Sequence, residues 1–188
     1  FYLIDSNLVA NSLSVTSSNA TFGGAITSLK SNLNLNNFTA TANNAKYDGG
    51  ALYMMYGELV MGKSTFTSNS ASNGGALFMD EISDVNVTRT KFTKNTASNT
   101  GGAAYSIISE YLVPISISDK LFSNTFSSNT ALVANDVYDS YLPDLEIGSG
   151  DYTIKKNDNY YDGELPAKYD LRQLNQVTPV KAQGSGGN

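Results

Sequence analysis

Short runs of alternating apolar and polar residues recur along the chain as far as about residue 140. Each run carries two apolar side chains spaced by two residues, a spacing that places both on one face of a β-strand. The pairs are Leu33/Leu35, Leu59/Met61, Val85/Val87 and Ile115/Ile117. Ser, Thr, Asn and Gly dominate the positions between them, which argues against amphipathic helices. The pattern predicts short strands joined by tight turns.

Two motifs recur at the same interval. Gly-Gly-Ala begins at residues 23, 49, 74 and 101, which are 26, 25 and 27 residues apart. Phe-x-x-Asn occurs at 66–69, 92–95 and 126–129, with a degenerate copy at 38–41. The fifth unit has Ala134-Asn135-Asp136 in place of the glycines and follows an insertion near residues 109–120. A fixed period carrying two motifs in constant order is typical of a solenoid.

Three short strands and three turns use about 25 residues, so each unit predicts one coil of an all-β, right-handed parallel β-helix. We expect about five coils in residues 1–145, a cap or linker in 146–164 and an extended C-terminal tail in 165–188. The glycine pair permits a turn with positive φ. Stacking of equivalent residues predicts two structural ladders inside the solenoid, an aromatic one and an amide one. Their members are Phe38, Phe66, Phe92 and Phe126, and Asn69, Asn95 and Asn129.

Composition narrows the chemistry that this chain can perform. The 188 residues carry a net charge of −5 and contain no Cys and no His. Thiolate or imidazole metal sites and Ser-His or Cys-His nucleophile pairs are therefore excluded, and no cofactor is predicted. The acidic balance disfavours nucleic acid as a partner, and no apolar run is long enough for a predicted membrane span. Because the sequence opens on Phe1 without a signal-like run, we expect a piece of a longer protein, with more coils or another subunit covering the solenoid ends.

The paired Gly-Gly-Ala-[Ile/Leu/Val] and Phe-x-x-Asn motifs resemble the repeats of chlamydial polymorphic outer-membrane proteins. They are similar also to the β-helix repeats of adhesin-like surface proteins of methanogenic archaea. The resemblance covers about residues 1–140. It implies an extracellular, cell-surface β-helix that acts as a scaffold or binding module, with a cell-surface glycan or protein as its partner.

The tail resembles a different family, because four of its motifs occur in the order in which similar motifs open the mature domain of papain-like cysteine peptidases. They are Leu165-Pro166, Asp170-Leu171-Arg172, Val177-Thr178-Pro179-Val180-Lys181 and Gln183-Gly184. The resemblance implies that Gln183 is an oxyanion-hole residue and that the nucleophilic Cys occupies position 189, one residue past the end of the sequence. Gly186 stands where the family often has a disulfide Cys, and Asn188 replaces a common Ser. The resemblance then implies that the parent protein is a peptidase, although this chain has no catalytic Cys or His. A β-helix joined to a papain-like domain favours the adhesin-like proteins of methanogenic archaea over the chlamydial proteins as the relatives of this chain.

Two other hypotheses remain open: a carbohydrate-binding or polysaccharide-degrading β-helix, and a pro-region released ahead of Leu165. Asp80, Glu81 and Asp84 form the nearest approach to a catalytic or Ca²⁺-binding set, but they fall between predicted strands, where charge usually belongs to a solvated turn. Near the end of the repeats, Asp136 and Asp139 are better explained as capping residues.

Three surface features complete the set of candidates. A small basic run consists of Arg89, Lys91 and Lys94. We interpret it as a solvated face, with a patch for a glycan or protein partner as the alternative. Tyrosines 53, 56 and 105 are candidates for stacking on sugars, with some of them expected in the core. Asn19, Asn37 and Asn86 begin Asn-x-Ser/Thr sequons and are candidate glycosylation sites, although Asn19 is expected at a buried ladder position.

Overall fold

The computed structural model describes residues 1–107, 124–139 and 152–153, all of which lie in the first of two units, Phe1–Lys155. Strands account for all the regular structure in these residues, and no helix occurs among them. The strands wind into four sheets in which neighbours are one coil apart in sequence. The predicted right-handed parallel β-helix is confirmed, with four complete coils and parts of a fifth in the described residues.

The strands are numbered along the chain. The first coil contains β1 (Tyr2–Ile4), β2 (Asn7–Asn11), β3 (Ser14–Thr16) and β4 (Asn19–Ala20). The second contains β5 (Ile26–Leu29), β6 (Asn32–Asn36), β7 (Thr39–Thr41) and β8 (Asn44–Ala45). The third contains β9 (Leu52–Met55), β10 (Glu58–Gly62), β11 (Thr65–Thr67) and β12 (Ser70–Asn73). The fourth contains β13 (Leu77–Asp80), β14 (Asp84–Thr88), β15 (Lys91–Thr93) and β16 (Thr96–Thr100). Then follow β17 (Ala104–Ile107), β18 (Thr125–Ser127), β19 (Val137–Asp139) and β20 (Tyr152–Thr153).

Each coil passes through four sheets in turn. Sheet A has the order β1-β5-β9-β13-β17-β19, sheet B β2-β6-β10-β14, sheet C β3-β7-β11-β15-β18-β20 and sheet D β4-β8-β12-β16. All pairings are parallel except that of β18 with β20. The expectation of three strands per coil is wrong, because the Asn-x-Ala stretch before the glycines forms sheet D rather than a turn. This stretch is too short and too polar to show strand alternation in the sequence.

A residue with positive φ stands at every corner of the coil. The corner between sheets C and D, for example, has Ser17, Ala42, Ser68, Lys94 and Ser128 with φ between 54° and 56°. The corner between sheets B and C has Ser12, Asn37, Lys63 and Arg89 in the same region. These non-glycine residues tolerate the left-handed conformation because coil-to-coil hydrogen bonds hold the backbone on both sides.

The corner between sheets D and A requires glycine twice, for two different reasons. The first glycine of each pair has positive φ, as at Gly74 (58°), and a Cβ there would overlap the Leu77 carbonyl. The second has no positive φ, but it lies against the next coil. A Cβ on Gly75 would overlap the carbonyl oxygen of Gly102 and lie 2.7 Å from the amide nitrogen of Thr96. In the last described coil Ala134 replaces the first glycine and keeps φ at 55°.

The core is a column of side chains enclosed by the four sheets. The apolar pairs of sheet B point inward in register, so that Leu33, Leu59 and Val85 lie one above another, two residues before Leu35, Met61 and Val87. The fourth predicted pair, Ile115/Ile117, lies outside the described residues, as do the tail 165–188 and Gln183.

The interior aromatic column contains three stacked rings and one exception. Phe66, Phe92 and Phe126 lie in register with ring centroids 5.0 Å apart and ring planes within 7° of parallel. Phe38 is equally buried, but it lies two residues out of this register, and Ala40 occupies the equivalent position. Its ring meets Phe66 edge-on, at 77° and 5.6 Å. The expectation of four rings stacked face to face is therefore wrong at Phe38, which fills the space that the small Ala40 leaves.

The close approach of the coils at the second glycine predicts a large difference between two Gly→Ala substitutions. Gly75→Ala should destabilise the fold by more than about 3 kcal/mol, because backbone rather than a flexible side chain meets the new methyl group. Gly62→Ala is the matched control, since its nearest atom would be Thr88 Oγ1 at 3.7 Å. Urea denaturation of both variants measures the difference, and equal stability would contradict this packing.

Candidate binding surfaces

A ladder of buried asparagines joins the coils inside the corner between sheets C and D. Asn43 Nδ2 donates to Asn69 Oδ1 at 3.0 Å, Asn69 Nδ2 to Asn95 Oδ1 at 2.9 Å, and Asn95 Nδ2 to Asn129 Oδ1 at 3.0 Å. Each Oδ1 also accepts the backbone N–H of the preceding ladder residue, and each Nδ2 donates to a sheet C carbonyl one coil earlier. Every amide is thus satisfied although it is fully buried.

The sequence prediction of this ladder missed two of its parts. Asn43 belongs to it, but Ala40-x-x-Asn43 was hidden because Ala replaces the Phe of the motif. At the other end Asn129 donates to Asp136 Oδ1 at 2.8 Å within the same coil. Asp136 occupies the position of the Ala after the glycines, which explains how a buried carboxylate reaches the ladder. Asp139 places its backbone in β19, opposite Ser106.

Removing one amide from the middle of the ladder should be costly. Asn69→Ala takes away the acceptor of the buried Asn43 N–H and the donor to the Ala40 carbonyl, so we expect a loss of about 2–4 kcal/mol in unfolding free energy. Asn44→Ala, on the exposed face of the neighbouring strand, should cost less than about 0.5 kcal/mol. Chemical denaturation measures both, and a cost at Asn69 as small as that at Asn44 would show that the ladder does not stabilise the fold.

A second aromatic column runs along the outside of sheet A. Tyr53, Phe78, Tyr105 and Tyr138 are in register, and successive ring centroids are 5.2, 5.1 and 4.9 Å apart with planes within 9° of parallel. The neighbours of each ring along the strand, such as Leu52 and Met54, point into the core, so strand alternation places the rings outside. The available signal was an aromatic residue four positions after Gly49, Gly74 and Gly101, although Thr27 occupies this position after Gly23.

The outer aromatic column leaves few ring faces for a ligand. Both faces of Phe78 and of Tyr105 lie against neighbouring rings, and Tyr53 contacts Phe78 on one face and a tilted Phe22 ring 5.0 Å away. Sugar stacking on Tyr53 or Tyr105, considered from the sequence, would need the faces that these contacts occupy. Tyr56 is separate and exposed at a corner, where a hydrogen bond with the Glu81 side chain raises the pKa of its hydroxyl.

The acidic side chains near this column influence one another's protonation. Burial raises the pKa of Asp80, and the charges of Glu81 and Asp48 raise it further. Burial also raises the pKa of Asp48, against the opposing effect of a 2.8 Å hydrogen bond from Asn73. Burial and these two aspartates raise the pKa of Tyr53 to about 12. Asp84 is exposed at the start of β14, and its carboxylate accepts the Val85 N–H. In the described ranges, no cluster of three or more His, Cys, Asp or Glu residues is arranged to hold a metal ion.

The raised pKa of Asp80 predicts a pH-dependent stability difference. When folding raises the pKa of a carboxyl group, the protonated group stabilises the fold at pH values below its ordinary pKa of 3.8. That contribution is lost as the pH rises through the pKa of the folded state. Asp80→Asn should therefore raise the thermal midpoint at pH 7, with the gain shrinking towards pH 4. Glu58→Gln, which also replaces a carboxylate by an amide but at an exposed position, controls for the lost charge. A gain at Asp80 that does not vary with pH would contradict the prediction.

The outer side of sheet C is a regular array of hydroxyl groups, here called the threonine face. Each of its five parallel strands contributes the first and third residues of a three-residue run, while the middle residue points into the core. The residues of the face are Ser14, Thr16, Thr39, Thr41, Thr65, Thr67, Lys91, Thr93, Thr125 and Ser127. Within the described part of the chain, none of its seven threonine hydroxyls makes a hydrogen bond to the protein. They are therefore available to solvent or to a ligand.

The predicted basic run lies across the threonine face in a single coil. Lys91 is the only outward position of the face without a hydroxyl, and Arg89 and Lys94 are at the two corners that border it. All three side chains are exposed, and none forms an ion pair with another residue of the described segments. We call Arg89, Lys91 and Lys94 the cationic rung. Lys63 extends the charge by one coil, at the same corner as Arg89.

Of the three sequon asparagines, one does not lie where the sequence predicts. Asn37 is exposed at a corner, where its Nδ2 donates to Ser12 Oγ at 3.0 Å, and Asn86 is exposed on the outside of sheet B. Asn19 is also exposed, so its predicted burial in the ladder is wrong. The sheet register pairs it with Asn44, while Ser18 occupies the ladder position and donates its N–H to Asn43 Oδ1. Glycosylation of the three stays a prediction.

Comparison with known proteins gives one match. The model of the Chlamydia polymorphic membrane protein (Chlamydia_PMP) repeat matches residues 63–80 and 89–107, less than half of the chain. Both stretches run from the corner before sheet C, through sheets C and D and the glycine corner, into sheet A. These coils are similar to the repeats of that family. No curated protein and no solved structure matches the chain. Among the described residues, no helix has the length and apolar character to cross a membrane.

Proposed function

We propose that this β-helix is an adhesin-like scaffold displayed at the cell surface. The observation that carries the proposal is the match of two successive coils, in the same phase, to the repeat of a polymorphic membrane protein family. The structure supports it in a second way, since satisfied ladders and coil-to-coil hydrogen bonds make a rigid rod that can hold a binding face away from a cell.

Surface display is tested by labelling intact cells of the native source with a membrane-impermeant amine reagent. Lys30, Lys63 and Lys94 are exposed at corners and should react in intact cells as strongly as after lysis. Mass spectrometry of the peptides measures the ratio, and an abundant cytoplasmic protein controls for leakage. Labelling of these lysines only after lysis would exclude a surface location.

We further propose that the parent protein carries a papain-like cysteine peptidase domain that begins near Leu165. The ordered motifs of the tail support this, and they favour adhesin-like proteins of methanogenic archaea as the kind of parent, over chlamydial ones. The β-helix would then be the scaffold of the enzyme, and Gln183 its oxyanion-hole residue. A pro-region role for the β-helix is the alternative to a permanent scaffold.

A thiol-directed peptidase probe applied to the native protein distinguishes these roles. We expect an adduct on a Cys directly after Asn188, on a chain that still contains peptides of the coils. An adduct on a chain that begins near Leu165 would identify a released pro-region instead. A native protein without a reactive Cys at that position would contradict the peptidase proposal and leave the surface scaffold unaffected.

A further inference from the structure

The acidic residues of the described segments avoid one side of the solenoid, where four of the six described cations lie. The acidic residues lie on sheets A and B and at the corners that border sheet A, at Asp5, Asp48, Glu58, Asp80, Glu81, Asp84, Asp136 and Asp139. No outward position of sheet C, and no positive-φ residue of its two bordering corners, is acidic among the described residues. The cationic rung therefore creates a local positive potential on a chain whose net charge is −5.

The threonine face gives this positive region a defined shape. Strand neighbours are separated by about 4.8 Å and alternate residues of one strand by about 6.6 Å, so the hydroxyls form two straight parallel columns. β-Branched side chains in register have restricted χ1 angles, and most of these residues are half-buried, so the array is held rigid before any ligand binds. An array of this form is flat and repeats along the axis. It suits an extended polymer with regularly spaced hydroxyls better than a small molecule, which would need a concave pocket.

We propose that the threonine face binds an acidic polysaccharide along the solenoid axis. The threonine hydroxyls exchange hydrogen bonds with sugar hydroxyls, and Arg89, Lys91 and Lys94 contact the anionic groups of the chain. Lys91 is central to the site because it replaces a threonine within one of the two columns, so one ligand can reach hydroxyl and ammonium groups together. The proposal names the ligand class for the proposed surface scaffold and rests on that function.

Polygalacturonate and its fully methyl-esterified form are a suitable pair of probes, since they differ in charge and share the sugar backbone. Calorimetry at low ionic strength with the full 188-residue chain should show binding to the acid form and at least about tenfold weaker binding to the ester. The Arg89→Gln/Lys91→Thr variant should lose about fivefold to tenfold in affinity for the acid form, as expected for two exposed charge contacts. The matched control Lys30→Gln/Lys46→Gln removes two cations elsewhere and should lose less than about twofold.

A hydroxyl variant tests the other half of the site. Thr65→Val/Thr67→Val keeps the β-branched shape and the net charge, and it should weaken binding to both polymers. Circular dichroism checks that each variant remains folded. The proposal would be overturned by equal affinity for the acid and the ester, or by equal losses in the test and control pairs. It would also be overturned by binding to anionic phosphatidylglycerol vesicles without binding to polygalacturonate. Failure to bind either polymer would also overturn it, while the labelling of intact cells would still report on surface display.

Discussion

Hydrogen bonding between equivalent residues of successive coils is the constraint on which the rest of this structure depends. Once each strand pairs in parallel with the strand one coil away, like residues lie above like at about 4.8 Å. A side chain is then favoured if it can pack against copies of itself or close equivalents. Phenylalanine does so by ring stacking and asparagine by amide hydrogen bonds, and glycine does so where two backbones nearly touch. The narrow range of residue types in each column follows from this requirement.

The same constraint produces the surface. Outward residues also fall into columns, so a preference for threonine on one strand becomes a face of threonines, and three cations in one coil become a rung across it. The outside of sheet A carries an aromatic column, whereas the outside of sheet C is polar along its five parallel strands. A scaffold of this kind presents chemically different faces from one repeated sequence, which suits a protein that contacts other surfaces.

The sequence predicted the features that recur with little variation. The glycine corners and the inward pairs of sheet B, such as Leu59/Met61, determined the solenoid class and the coil length. Sheet D was missed because Asn44–Ala45 and its equivalents are short and polar, and they are strands only because the neighbouring coils pair with them. Phe38 was misplaced because its motif is shifted by two residues against the true register. The shift is explained only by the packing, in which the Phe38 ring fills the space beside the small Ala40. The outer aromatic column had a sequence signal at constant distance from the glycines.

Every feature described above depends on the stacking of successive coils in register, and the absence of cysteine from the chain allows spin labels to measure that stacking. Spin labels attached at Thr16→Cys and Ser127→Cys would report the distance between two positions of one column, four coils apart. Double electron–electron resonance should give a narrow distribution near four coil spacings, about 19 Å between the attachment points. A broad distribution, or a distance above about 30 Å, is incompatible with four coils stacked at the spacing of paired strands and would show that the coils are not in register.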